Sequence, residues 1–197
     1  MVNCAGCKIH SCSNGEECVR GQDLKSYEAL SRKEYEKADN KKVLEVSSRI
    51  EGKHYMEWTR VEEIFGFAEQ MGYTRIGLSH CVGLTNEAKL LKDILEQKFI
   101  VEAVCCKFSG IDKKDLNLTP ISCDKYEAIC NPIGQAMVLN DLKTNLNIIV
   151  GLCIGHDILF TKYSEAPVTT FIVKDRVTGH NPAVSLYSNY YRKKLIK

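Results

Sequence analysis

Residues Thr74–Cys105 read TRIGLSHCVGLTNEAKLLKDILEQKFIVEAVC, and this stretch decides the fold. Its two ends, Thr74–Ser79 and Phe99–Cys105, are short runs rich in Ile and Val, bounded by polar residues and glycine, as buried strands are. Between them Thr85–Gln97 sets Ala88, Leu91, Ile94 and Leu95 on one face of a helix. A strand, a helix and a second strand in that order predict a right-handed crossover and parallel pairing.

Strands and helices continue to alternate further along the chain. Asn147–Leu152 and Val168–Val173 read as two more buried strands, with a helical pattern over Pro132–Leu142 ahead of the first and another over His156–Lys162 between the two. Upstream, Thr59 followed by Glu62 and closed by Gly72 is the signature of a capped helix. Leu24–Ala38 and Val43–Ile50 show helical spacing of apolar residues, and Ala183–Leu195 reads as a closing helix after Asn181-Pro182. The predicted fold class is α/β: a parallel four-stranded sheet with helices on both faces, preceded by a Cys-rich N-terminal segment. Residues 1–22 form that segment, and residues 23–197 the α/β domain with a helical N-terminal part.

Within 197 residues, 44% of them hydrophobic, one main core can form. Lys and Arg number 27 against 25 Asp and Glu, so the total charge points to neither nucleic acid nor anionic lipid. No apolar run reaches the ~18 residues of a membrane span, and Met-Val-Asn-Cys-Ala-Gly-Cys has neither the basic nor the apolar region of a signal peptide. The cytoplasm is the expected setting. In a reducing compartment ten cysteines are better explained by metal ligation or thiol chemistry than by disulfides.

Four of the ten, Cys4, Cys7, Cys12 and Cys18, follow the spacing C-x2-C-x4-C-x5-C, with His10 as a substitute ligand. Two cysteines two residues apart can chelate one ion from a single turn, and Gly6, Asn14 and Gly15 let the chain fold back to bring in the others. Free cysteines prefer apolar surroundings, and this segment is polar, so a metal is expected there. Zinc and an iron–sulfur cluster both accept four thiolates, and the spacing matches neither the bacterial nor the plant ferredoxin pattern.

The other six gather where a parallel sheet places its functional groups, beyond the carboxyl ends of the strands. Cys81 follows the first strand, Cys105 and Cys106 end the second, and Cys153 ends the third. Cys123 and Cys130 lie in the long connection that returns to the same edge. All six are candidate ligands of a second metal site, an iron–sulfur cluster, 4Fe-4S by preference. Cys130 directly precedes a helix start in Cys-Asn-Pro-Ile-Gly-Gln, and a helix N-terminus favours a thiolate. Cys130, His80, His156 and Lys107 are therefore candidate catalytic groups. His180, Asp157, Lys174 and Asp175 fall near the same edge.

The chain resembles a bacterial and archaeal family of metal-binding proteins called domain of unknown function 1847. The residues that carry the resemblance are Cys4-Ala-Gly-Cys7 with Cys12 and Cys18, Cys105-Cys106-Lys107, Cys130-Asn-Pro-Ile-Gly-Gln, Gly151-Leu-Cys-Ile-Gly-His156-Asp157 and Lys174-Asp-Arg-Val-Thr-Gly-His180-Asn-Pro182. The resemblance implies metal binding by the cysteine segments and brings no reaction with it.

Three functions compete at this stage. The first is an iron–sulfur protein for electron transfer or cluster-assisted chemistry, served by a redox partner protein. The second is a zinc-stapled module that binds a small-molecule ligand or a protein in the sheet-edge crevice. The third is a thiol or sulfur-transfer enzyme in which the helix end activates Cys130 and a histidine acts as base.

Overall fold

The computed structural model describes residues 3–16, 25–122 and 124–196, and the chain divides into two compact units, Met1–Lys53 and His54–Lys197. The boundary expected after residue 22 lies outside the described residues. In the first unit, two 3-10 turns at Cys4–Gly6 and Ser11–Asn14 are followed by helix α1 (Lys25–Tyr35) and most of α2 (Ala38–His54). On α2, Val46 and Ile50 are buried; four positions apart, they share one side of the helix.

The second unit starts with α3 (Arg60–Met71), and the T-x-x-E signal before it works as read. The Thr59 side chain accepts the Glu62 amide, the Glu62 carboxylate accepts the Thr59 amide at 2.7 Å, and Gly72 closes the helix at φ 77°. Strands β1 (Arg75–His80), β2 (Ile100–Cys105), β3 (Leu146–Val150) and β4 (Val168–Ile172) follow. They alternate with α4 (Thr85–Leu95), α5 (Pro132–Asp141) and α6 (His156–Tyr163). All three strand pairs are parallel and the order is β2-β1-β3-β4. From β1 the chain crosses one way to β2, then returns past β1 to β3. Right-handed crossovers therefore put α4 on one face and α5 with α6 on the other.

Every residue of β3 is buried, which is why that strand reads as a continuous apolar run. Its one polar member, Asn147, is satisfied inside the core: Thr144 Oγ1 donates to its Oδ1 at 2.8 Å, and its Nδ2 donates to Ser164 Oγ at 2.7 Å. Opposite it, a Cβ on Gly77 would stand 2.1 Å from Asn147 Oδ1 and 2.8 Å from Leu139 Cδ1. Glycine at this point lets α5 close onto β1.

At the C-terminus the structure corrects the expectation of one helix over Ala183–Leu195. Two helices form instead, α7 (Val184–Tyr187) and α8 (Asn189–Leu195), with Ser188 extended between them at φ −73° and ψ 122°. Serine and asparagine side chains compete for backbone hydrogen bonds and favour helix boundaries over interiors. Among the described residues no helix is long and apolar enough to cross a membrane.

Candidate functional site

The connections after β1 and β3 run in opposite directions, to β2 and to β4, which makes the carboxyl ends of β1 and β3 the switch point of the sheet, where functional groups gather. Backbone hydrogen bonds extend the sheet there. The Cys81 amide donates to Val150 O at 3.1 Å and the Cys106 amide to His80 O at 2.9 Å, so Cys81 and Cys106 prolong the β1/β2 ladder as neighbours. The Val82 amide then donates to Cys106 Sγ at 3.4 Å.

Cys130 reaches the same place from the long connection. Asp112 and Ala128 form an antiparallel bridge, and the Ile129 amide donates to Ile111 O at 2.8 Å. The Asn131 amide donates to Cys106 O at 2.8 Å, which fixes Cys130 beside Cys106. Asn131 caps α5 by accepting the Gly134 amide at 2.9 Å, and Pro132 occupies the first turn, where no amide donor is needed. Gln135 stitches that turn to the sheet: its Nε2 donates to Val104 O at 2.7 Å and to His80 O at 3.3 Å.

Cys106 is 1% exposed, and its sulfur interacts with both Cys81 and Cys130. Its own thiol is pushed up by Cys130, by Cys81 and by burial, so it keeps its proton. Cys130 is held down to about 4 by the Cys106 hydrogen bond first, then by the His156 hydrogen bond and the Lys107 charge, against the opposing effect of burial. Cys81 is held down to about 5 by Cys106 first, with the Gly83 backbone and Lys174 adding to it. Cys81 and Cys130 are thus both drawn toward the thiolate, and Cys106 toward the thiol.

Lys174 reaches Cys81 because two glycines leave it a path. A Cβ on Gly83 would lie 3.4 Å from its Nζ, and one on Gly151 would lie 3.6 Å from its Cδ. Gly151 also has φ 70°, and a side chain there would collide with Leu84 Cδ1 at 1.9 Å. Arg176 donates to Cys153 Sγ at 3.0 Å and is held more firmly protonated by Cys153 first and then by the charges of Cys81 and Cys130. The loop that carries it is braced by Asp175, whose Oδ1 accepts the amides of Val177 at 2.9 Å and Thr178 at 3.1 Å.

Not every candidate joins the array. Cys105 precedes Cys106 by one residue, and the two-residue period of a strand turns it to the other side. His80 is buried, with Nδ1 on the Cys81 carbonyl at 3.2 Å. Nδ1 of His180 accepts the Asp175 amide at 3.1 Å, so this ring braces the loop. Lys107 stands within electrostatic reach of Cys130 and donates to Ala128 O. Arg176 and Gln135 were not singled out from the sequence. The signal for Arg176 is its place just after the β4 end, where the sheet edge collects charge.

In the first unit, Cys4 and Cys12 are exposed and Cys7 is half-buried; the Cys7 amide donates to Cys4 O at 3.0 Å. Cys18 and Cys123 lie outside the described residues. Among the described residues no three His, Cys, Asp or Glu side chains are grouped so that they could hold one ion.

Fold and site together define a doubly wound parallel α/β protein with a cysteine-rich edge at its switch point. The chain belongs to the family described as "Protein of unknown function (DUF1847)", domain of unknown function 1847, whose model matches residues 19–171. Cys81, Cys106, Cys130, Cys153 and His156 fall inside the matched span, and Cys4, Cys7, Cys12 and Cys18 precede it. The chain is also similar to a protein of Methanocaldococcus jannaschii named "Uncharacterized protein MJ0455", with 51% identity over 196 residues that cover 100% of this chain and 99% of the relative. No solved structure matches.

Proposed function

We propose that the crevice is the working site and that the protein acts there as a thiol enzyme, with Cys130 as the nucleophile toward a sulfur electrophile. The observation that carries this reading is the placement of Cys130 directly before the Asn131 cap of α5, tied to Cys106 by the Asn131 amide on the Cys106 carbonyl at 2.8 Å, where Cys106 and His156 both pull its thiol down. A thiolate attacks where a thiol does not, and a helix N-terminus, an imidazole and a lysine all favour the thiolate. His156 orients the sulfur, Lys107 adds charge, and Cys106 holds the proton. The substrate class is a small disulfide or persulfide, and the products are a thiol and a transferred sulfur or disulfide. A reducing cytoplasm, the setting expected from the sequence, keeps such thiols ready.

The test is consumption of oxidised glutathione by the reduced full-length chain. Cys130→Ser should lower the rate at least about tenfold, while Cys153→Ser leaves it within about twofold of wild type. An unchanged rate in Cys130→Ser would remove Cys130 from the reaction.

A second reading rests on a different observation: three sulfurs delivered by separate elements to one crevice. Zinc needs all its donors around a single point, whereas an iron–sulfur cluster takes each thiolate on a different iron. The row of Cys81, Cys106 and Cys130 suits the cluster better, with Cys153 beside it. When bound, such a cluster supplies one-electron transfer, and a redox protein would then be the partner. Anaerobically purified protein should in that case be brown and contain iron and sulfide, whereas a colourless protein without them would exclude the reading. For Cys4, Cys7, Cys12 and Cys18, zinc or a cluster is proposed as a structural staple, testable by metal analysis before and after chelation.

A further inference from the structure

We infer that Cys81, Cys106 and Cys130 form a three-thiol relay, in which a disulfide first made at Cys130 is passed through Cys106 and comes to rest between Cys106 and Cys81. The relay rests on the reading of Cys130 as the reactive thiol and adds to it a direction and an end point.

The geometry supports each transfer. Cys106 is tied to the Cys130 side by the Asn131 amide on its carbonyl at 2.8 Å, and to the Cys81 side by its own amide on His80 O at 2.9 Å. On that second side the Val82 amide also reaches the Cys106 sulfur at 3.4 Å. His80 pairs with Cys105 in the parallel ladder, so the next residues, Cys81 and Cys106, stand in register on adjoining strands. Adjoining strands run about 4.8 Å apart, within the roughly 4.4–6.8 Å between Cα atoms that a disulfide spans. Cys81 and Cys106 are buried and Cys130 is half-buried, so a bulky substrate meets Cys130 first.

The chemistry balances with a low-molecular-weight disulfide, R–S–S–R, as the oxidant. The Cys130 thiolate attacks one sulfur, the S–S bond breaks, and the first R–S⁻ leaves with the electron pair. Cys106 then hands its proton to the neighbouring Cys81 sulfur and, as a thiolate, attacks the Cys130 sulfur and expels the second R–S⁻, which takes that proton from Cys81 and departs as R–SH. Finally the Cys81 thiolate attacks the Cys106 sulfur and releases Cys130 as a thiolate. The substrate gains two electrons, the Cys81/Cys106 pair loses two, and Cys130 is restored. Cys130 is the favoured leaving group in the last exchange because the helix N-terminus stabilises its charge.

The experiment treats the reduced full-length chain with one equivalent of oxidised glutathione, quenches it in acid, blocks free thiols and maps tryptic peptides by mass spectrometry. The relevant peptides are Ile76–Lys89, Phe99–Lys107 and Tyr126–Lys143, and a Cys105→Ser background makes the middle one report Cys106 alone. The relay requires that Ile76–Lys89 become joined to Phe99–Lys107, with a loss of about two free thiols per chain and no glutathione retained. In Cys81→Ser the link should shift to Phe99–Lys107 with Tyr126–Lys143, and in Cys106→Ser glutathione should stay on Cys130. If glutathione remains on Cys130 in the Cys105→Ser chain and no internal link forms, the relay is overturned while the reactivity of Cys130 stands. If glutathione never reaches Cys130 in any chain, both are overturned. The first of these tests needs no further variant, so a failure of Cys81→Ser or Cys106→Ser to fold does not shield the relay.

Discussion

The backbone amide of Asn131 donates to the carbonyl of Cys106 at 2.8 Å, and this single bond sets the cap of α5 against the end of β2. It brings a helix N-terminus, a buried thiol and a second sulfur into one corner of the sheet. Removing the Asn131 side chain tests that corner. Asn131→Ala loses the cap to the Gly134 amide and the bond from its Nδ2 to Ser109 Oγ at 3.0 Å. A loss of about 1 kcal/mol is expected in urea unfolding. The half-labelling pH of Cys130 should also rise, because a frayed helix start stabilises the thiolate less. A variant with wild-type stability and labelling would show that the cap does not act on the site.

His156 is predicted to matter through the sulfur it touches. His156→Ala removes one of the two hydrogen bonds that hold Cys130 down, so the half-labelling pH should move upward by about one pH unit. The sign is fixed: Cys130 is a thiolate above its folded value and becomes an unreactive thiol as the pH falls through it. Iodoacetamide labelling from pH 3 to 8, followed on the Tyr126–Lys143 peptide, gives the curve. A profile superimposable on wild type would remove His156 from the site.

Gly77 tests the packing that closes the core. A methyl group there would meet Asn147 Oδ1 and Leu139 inside a filled interior, so Gly77→Ala should destabilise the fold by about 1–3 kcal/mol and lower Tm by roughly 5 °C. Thermal unfolding by circular dichroism measures it, and an unchanged Tm would mean that α5 does not pack as described.

Thr59→Ala should cost about 1 kcal/mol at pH 7 through loss of the α3 cap. The Glu62 carboxyl is held below its usual value by Thr59, through the backbone hydrogen bond first and the side chain second. Its contribution is therefore present above the unfolded carboxyl value and is lost as the pH falls through the folded one. The difference between Thr59→Ala and wild type should shrink as unfolding is repeated at pH 3; a constant difference would exclude the reciprocal cap.

Much of this fold was legible because its strands are buried on both faces. Leu146–Val150 can only be a core strand or a buried helix turn, and its length and its Ile and Val content favour the strand. The Thr59/Glu62 pair was equally plain. The bridge between Asp112 and Ala128 was hidden, because one residue pair in a polar connection has no period to detect. So was the break at Ser188, where the apolar spacing continues across it. At the site, chain order was enough to send Cys81, Cys105, Cys106, Cys130 and Cys153 to one edge. It did not select Cys106 over Cys105, or show that Cys106 joins Cys81 to Cys130, because those facts depend on how the Asn131 amide and the β1/β2 ladder end.

The most direct measurement is limited iodoacetamide labelling of the reduced full-length chain at pH 5.5, with each cysteine peptide quantified over time. The expected result is that Cys130 labels ahead of the exposed Cys4 and Cys12, because a thiolate is the form that alkylates and the Cys130 thiol is held down to about 4, below that pH. Faster labelling of Cys4 and Cys12, with Cys130 left unmodified, would contradict a reactive thiolate in the crevice.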